Sequence, residues 1–365
     1  MESVFSKKHS CSGCGACESI CPAAAITMLP DEEGFLYPLI NRTACVGCGK
    51  CVVLCPFRKK DHYKSEAEPS CYALRHKSAE VLKQSTSGGA FTAFSDSVLA
   101  LGGIVYGAVF DGDLRVVHRR ASTPEERNAM RFSKYVQSDL RGICRDIGND
   151  LAAGKKVLFT GTPCQSAGIR AVFPADSNLF LCDVICHSVP SPRVWEDYKK
   201  LLETECRGKL SWVQFRSKKY PWNRANSNKG FLYKISGEDD DRGDDRFYTL
   251  FINGNAIVRP SCYRCPFADI KRTSDITMAD YFGIEKSAPN FYDPLGVSLV
   301  LVNTPQGKNL LGLSAAAASL EERPVCEALS LQQRLSAPGP EPPDRKDFWK
   351  QYHEAGLSAV IVRNS

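Results

Sequence analysis

The sequence predicts a mixed α/β (α+β) protein in which a short cysteine-rich module precedes a larger two-part domain with mixed sheets. Two observations carry that expectation. Residues 1–60 write one cysteine pattern twice, and beyond Cys71 apolar runs rich in β-branched residues alternate with turn signals and helical patterns. Length sets the scale. With 365 residues, 43% of them hydrophobic and 24% charged, the chain can bury a substantial core and fill two or three domains of ~150 residues.

Seventeen cysteines are far more than packing requires. The opening residues MESVFSKKHS contain no apolar segment of the kind that directs export, so reduced thiols and a cytoplasmic location are expected. No membrane association is expected either. The longest weakly polar stretch, residues 98–110, is broken by Gly102, Gly103 and Gly107 and falls short of the ~20 apolar residues of a spanning helix. Lys plus Arg (47) exceed Asp plus Glu (41) by a net +6 without gathering into a basic stripe, which argues against nucleic-acid binding. Thiolate-bound 4Fe–4S clusters, each carrying about −2 when oxidised, would offset that excess.

The first run is Cys11, Cys14, Cys17 and Cys21-Pro22; the second is Cys45, Cys48, Cys51 and Cys55-Pro56. Each is C-x2-C-x2-C-x3-C-P, the spacing of a bacterial-type two-cluster ferredoxin. Three thiolates on a tight loop cap one cubane and the fourth, fixed by proline, reaches the other. The runs therefore cross: Cys11, Cys14, Cys17 and Cys55 for one 4Fe–4S cluster, Cys45, Cys48, Cys51 and Cys21 for the second. Gly13, Gly15, Gly47 and Gly49 supply the positive φ such loops need. Zinc suits this spacing poorly, since its ligands usually come in separated pairs. Between the runs, residues 25–29 and 34–38 read as a hairpin.

A charged, proline-punctuated linker at 58–69 leads to the second fold. Ser87-Gly88-Gly89-Ala90 opens a helix to about residue 101, whose free N–H groups suit either a simple cap or an anion. Residues 103–110 and 115–119 read as paired strands, 157–160 and 179–185 as buried strands, and 209–216, 231–236 and 247–252 as antiparallel strands. Residues 275–283 and 296–302 supply two more strands, 305–318 a helix, and 336–343 a proline-rich linker to a last helix. Gly161-Thr162-Pro163-Cys164-Gln165, Cys186-His187 and Cys262-Tyr263-Arg264-Cys265 all fall at element ends, where they can converge on a metal. A C-x2-C pair with two scattered ligands suits zinc as well as iron–sulfur. Cys71, Cys144, Cys182, Cys206 and Cys326 read as small buried hydrophobes.

Six ordered motifs give a resemblance over nearly the whole chain: Ser87-Gly88-Gly89; Ser133-Lys134-Tyr135-Val136-Gln137-Ser138; Gly161 to Gln165; Asp183 to His187; Ser261 to Pro266; and Ser274 to Asp280. They resemble the beta subunit of coenzyme F420 hydrogenases and dehydrogenases, here preceded by the ferredoxin module. The resemblance implies FAD and a third 4Fe–4S cluster, with Cys164, Cys186, Cys262 and Cys265 as its ligands. It implies FAD contacts from Ser87, Gly88, Gly89, Ala90, Ser133, Lys134, Tyr135, Gln137 and Thr162. His187, beside a candidate ligand, reads as a catalytic proton donor, a partner of that ligand or a satisfied core histidine. The division then reads 1–60 ferredoxin-type; 71–155 N-terminal flavoprotein; 156–325 C-terminal flavoprotein and iron–sulfur; 326–365 linker and terminal helix. Ser188 and Phe282 depart from the family's glycine and tryptophan, and the family does not fix one substrate.

The expected function is an iron–sulfur flavoprotein oxidoreductase exchanging electrons with a ferredoxin or a catalytic subunit. It reduces or oxidises a small organic acceptor or an F420-like deazaflavin. The alternative is a non-catalytic electron-transfer subunit of a larger hydrogenase or dehydrogenase; self-association into a homo-oligomer stays open in both.

Overall fold

The computed structural model describes residues 4–174, 176–227 and 229–361. Its N-terminal module carries a hairpin, β1 (Ile26–Pro30) and β2 (Leu36–Ile40), paired antiparallel with Ile26 opposite Ile40. The rest is organised by an eight-stranded mixed sheet. Its strands are β3 (Ser70–His76), β4 (Ile104–Phe110), β5 (Val116–Ala121), β6 (Val157–Gly161) and β7 (Leu179–Val184). A small antiparallel sheet of β8 (Leu210–Gln214), β9 (Leu232–Ile235) and β10 (Arg242–Gly243) follows. The large sheet is completed by β11 (Ile276–Asp280), β12 (Ser298–Val302) and β13 (Ala318–Arg323).

The order in the large sheet is β13-β3-β12-β11-β7-β6-β4-β5. Strands β4, β6, β7 and β11 run parallel at its centre, and antiparallel strands flank them on both sides. Strands from 71–155 and from 156–325 thus share one sheet. The central strands alternate with period two, as a sheet covered on both faces requires. Val157, Phe159, Leu179 and Leu181 face the core under the helices Ile143–Ala152 and Pro163–Val172. Leu158, Phe180 and Cys182 face the core under Ala90–Ala100 and Pro305–Ser314. Because β6, β7 and β11 are parallel, their C-terminal ends open on one edge, where Cys164 and Cys186 follow directly.

One expected strand is not a strand. Residues 247–252 lie in a short α-turn, Arg246–Tyr248, and a π-helical turn, Thr249–Gly254. Phe247, Tyr248, Leu250 and Phe251 are all buried, and a strand would turn alternate members of that set to solvent. Helical backbone lets all four join the cluster around Trp195, Phe215 and Phe231. Of the five cysteines read as buried hydrophobes, Cys71, Cys144 and Cys182 are so, Cys206 is half-buried, and Cys326 is exposed.

The linker is docked, since Lys64 pairs with Asp269 at 2.6 Å and Ser65 donates to the Asn303 carbonyl at 2.7 Å. The last helix, Arg345–Ile361, reaches back to the N-terminal module through Arg345 and Glu33. Among the described residues no helix is long and apolar enough to cross a membrane.

Candidate functional site

Two cavities collect eight of the twelve candidate thiols. One, of about 330 Å³, is lined by Cys11, Cys14 and Cys17 together with Cys55 and Pro56 from the second run. The other, of about 550 Å³, is lined by Cys164, Cys186, Cys262 and Cys265. The remaining set lies at the surface. There Cys51 is raised first by burial and then by the neighbouring charges of Cys48 and Cys21, so the last cysteine of the first run lies beside the second run. Cys45 begins that loop and Cys48 is exposed. Among the described residues no three His, Cys, Asp or Glu side chains close around a single metal ion.

Local structure explains each loop. Gly13 and Gly15 (φ +69° and +74°), like Gly47 and Gly49 (φ +68° and +71°), adopt left-handed backbone that non-glycine residues enter at a cost of about 1–2 kcal/mol. In the larger cavity, Cys164 occupies the first turn of the Pro163–Val172 helix, capped by Thr162 and Gln165. Cys186 follows β7, and Cys262 and Cys265 sit on and just after the turn Pro260–Arg264. Burial pushes all four thiols above the usual cysteine range, Cys262 to about 12 and Cys265 to about 11. Metal ligation in such a place displaces a proton from each sulfur.

A polar network holds the Cys164 loop. Thr162 Oγ1 lies 3.2 Å from Cys164 Sγ, and Gln165 Oε1 accepts the Thr162 N–H at 2.9 Å. Gln165 Nε2 donates to Ser138 Oγ at 3.0 Å, and Ser138 Oγ lies 2.7 Å from His118 Nδ1. His118 Nε2 faces the Thr160 carbonyl at 2.9 Å, which can only accept; the proton is therefore on Nε2, and Nδ1 accepts from Ser138. Burial pulls His118 down to about 4, so it stays neutral.

The two cavities adjoin. Ser12 and Phe57 line both. A Cβ on Gly168, in the helix carrying Cys164, would come within 2.9 Å of Cys14 Cβ, so only glycine lets that helix lie against the first cysteine run. Neither position stood out in the sequence, where a helical glycine and a lone phenylalanine carry no signal.

The residues expected at FAD fall into two groups. Ser87 donates to the Val297 carbonyl at 2.8 Å, and a Cβ on Gly88 would strike the Leu74 carbonyl oxygen and the Ser298 nitrogen. Those two are committed to packing against β3 and β12. Gly89 (φ +82°) caps the helix that begins at Ala90, and the Ser133 N–H donates to Thr86 at 3.2 Å, so the two segments meet. Lys134 Nζ donates to the carbonyls of Arg131 and Phe132, and burial lowers it to about 7. Tyr135 packs on Phe215, Tyr248 and Phe251. By contrast, Thr162 and Gln137 belong to the cysteine sites; Gln137 donates to the Ser12 carbonyl at 2.9 Å.

Beside that helix start, His76 Nε2, Thr92 Oγ1 and Arg131 Nε are buried without a partner among the described residues. This donor set fits a phosphate group. None of the three was singled out in the sequence, because none belongs to a recognisable motif. His187 is exposed beside Cys186 and forms no hydrogen bond with another described residue.

A thiol-lined cavity at the edge of a mixed sheet, joined to a doubled cysteine module, defines an iron–sulfur protein of the oxidoreductase type. Residues 154–327 match the family model for the C terminus of the coenzyme F420 hydrogenase/dehydrogenase beta subunit, and residues 10–59 match the 4Fe-4S dicluster domain. These two matches support the resemblance to that beta-subunit family, with a dicluster domain in front. A solved chain from the F420-reducing NiFe hydrogenase complex of Methanosarcina barkeri is similar in fold, with a TM-score of 0.50 and 17% identity; the match covers 80% of this chain and 95% of that one. No curated protein matches.

Proposed function

We propose that this protein moves single electrons inward along three cysteine-bound 4Fe–4S sites to a flavin that serves an organic acceptor. Cys21, Cys45, Cys48 and Cys51 hold the outer cluster, Cys11, Cys14, Cys17 and Cys55 the inner one. Cys164, Cys186, Cys262 and Cys265 hold the third. The observation that carries this reading is the wall shared by the two thiol-lined cavities, Ser12 and Phe57. A bound flavin supplies exchange between one-electron and two-electron chemistry.

The chain's own residues position and insulate. Thr162, Gln165, Ser138 and His118 fix the Cys164 loop; His76, Thr92 and Arg131 bind the flavin's phosphates; and Lys134 holds the adjoining Arg131–Phe132 backbone. His187, exposed beside the third site and pulled down to about 4 by desolvation and neighbouring arginines, is placed to hydrogen-bond a bound acceptor as a neutral imidazole. Around the outer site, Leu39, Val46 and Val53 are 60–69% exposed, an apolar rim suited to a docking redox protein. That rim also favours a second reading, in which the protein is a conduit whose partner subunit performs the final reaction.

Anaerobic photoreduction followed by mixing with candidate oxidants, a deazaflavin among them, tests the proposal. Flavin in the purified protein and turnover without a partner support the reductase. Reduced clusters that never discharge into a small molecule identify the conduit. Protein that retains no iron defeats both.

A further inference from the structure

Arg259 is 0% exposed, and it lies between the two cavities. Its side chain lines the cavity of Cys164, Cys186, Cys262 and Cys265. On the other side Nε donates to the Cys11 carbonyl at 2.8 Å, and Nη2 lies 3.9 Å from Cys11 Sγ. Nη1 donates to Gln137 Oε1 at 3.0 Å and Nη2 to the Leu36 carbonyl at 3.0 Å. The guanidinium stacks 4.3 Å from the Tyr37 ring centroid and 5.4 Å from that of Phe35. A Cβ on Gly13 would come within 2.7 Å of Nη1, so the first cysteine loop is shaped around this side chain. Backbone ties it to the other site as well, since the Cys262 N–H donates to the Arg259 carbonyl at 2.9 Å.

None of these hydrogen-bond partners is a carboxylate. A permanent cation buried in this way is costly unless negative charge lies close by. The groups beside it that can become negative are thiols: Cys11, whose Sγ lies 3.9 Å from Nη2, and Cys164 and Cys262, which line the other cavity with Arg259.

We propose that Arg259 is the common counter-charge of the inner and third iron–sulfur sites and sets both of their reduction potentials. The proposal rests on the reading that both cavities hold 4Fe–4S clusters. Adding an electron makes a thiolate-bound cluster more negative, so a fixed cation nearby stabilises the reduced form and raises the potential. One cation beside both sites raises both potentials together, whereas Arg272 and Arg334, which line only the cavity of the third set, act on that site alone. Arginine suits this role because it stays ionised at every working pH and its planar fork reaches several acceptors at once.

The test uses the full chain, reconstituted anaerobically with iron and sulfide, as wild type, Arg259→Gln and Arg259→Lys. Iron is counted, and the potentials are read by titration monitored by electron paramagnetic resonance. Cys48→Ser and Cys265→Ser serve to assign the outer and third signals. In Arg259→Gln, which keeps an amide donor and loses the charge, the inner and third potentials both move negative while the outer one stays in place. Arg259→Lys keeps the charge without the fork, and gives smaller shifts in the same direction. Should the glutamine variant fail to load iron, the lysine variant decides by the same pair of shifts. An iron-replete variant with unmoved potentials, with only one moved, or with the outer potential moved equally overturns the shared role alone. Wild type holding about eight irons, in place of the about twelve of three cubanes, overturns it together with the reading beneath it.

Discussion

The two cysteine runs have the same spacing and nearly the same backbone, yet they occupy opposite environments. Gly13 and Gly47 are equivalent, with φ of +69° and +68°. A Cβ on Gly13 would meet Arg259 and the Leu36 carbonyl, whereas nothing lies within 4 Å of one on Gly47. Around the first run Ser12 and Ala16 are buried; around the second Val46, Cys48 and Val53 are exposed. Spacing therefore specifies what a loop can bind, and the surface packed against it specifies whether that loop is enclosed or open to solvent.

The largest expected effect separates the thiol sets. Cys265→Ser should remove up to about four of about twelve irons while sparing the N-terminal module, as counted by colorimetric iron assay. If instead iron is lost evenly from all sites, the sets are not independent. Next in size is a pH effect inside the larger domain. His118 is held near 4 against about 6.5 in an unfolded chain, so the unfolded state binds more protons between those values. Stability should fall by about 3 kcal/mol as pH drops from 6.5 to 4. His118→Gln should flatten that part of the denaturation profile, and an unchanged slope would assign it to other groups.

Paired glycine substitutions sharpen the comparison further. Gly47→Ala should cost about 1–2 kcal/mol from its left-handed backbone alone. Gly13→Ala should cost more, because Arg259 and Leu36 must also move, and equal melting temperatures would show that the two loops are packed alike. The smallest effect lies at the exposed rim. Val46→Glu should slow reduction by a protein donor about tenfold or less while iron content and melting temperature stay as in wild type. A slowed reaction with a small-molecule reductant would show damage to the site itself.

The N-terminal module was legible because its ligands are local. Each run places three thiols within one loop and a fourth before proline, a local pattern whose repetition signals the crossed pairing of the two runs, and the hairpin between them follows from alternation. The third set was visible as three element ends, but its convergence depends on β6 and β7 running parallel so that their ends open together. Residues 247–252 misled because aromatic residues favour strands, and only the Trp195 cluster shows that four near-consecutive side chains must point one way. At the expected flavin site, Ser87 and Gly88 proved committed to β3 and β12, while the unpaired donors at its helix start come from His76, Thr92 and Arg131.

By itself, then, the sequence determined the doubled cysteine module and most strands, because motif spacing and side-chain periodicity are properties of short segments. Tertiary structure alone decided which run is buried, that Gly168 admits Cys14, and that Arg259 stands between two cavities. An arginine in a sequence looks like any solvated cation. Its meaning comes from the desolvation and the neighbours that only the folded chain imposes.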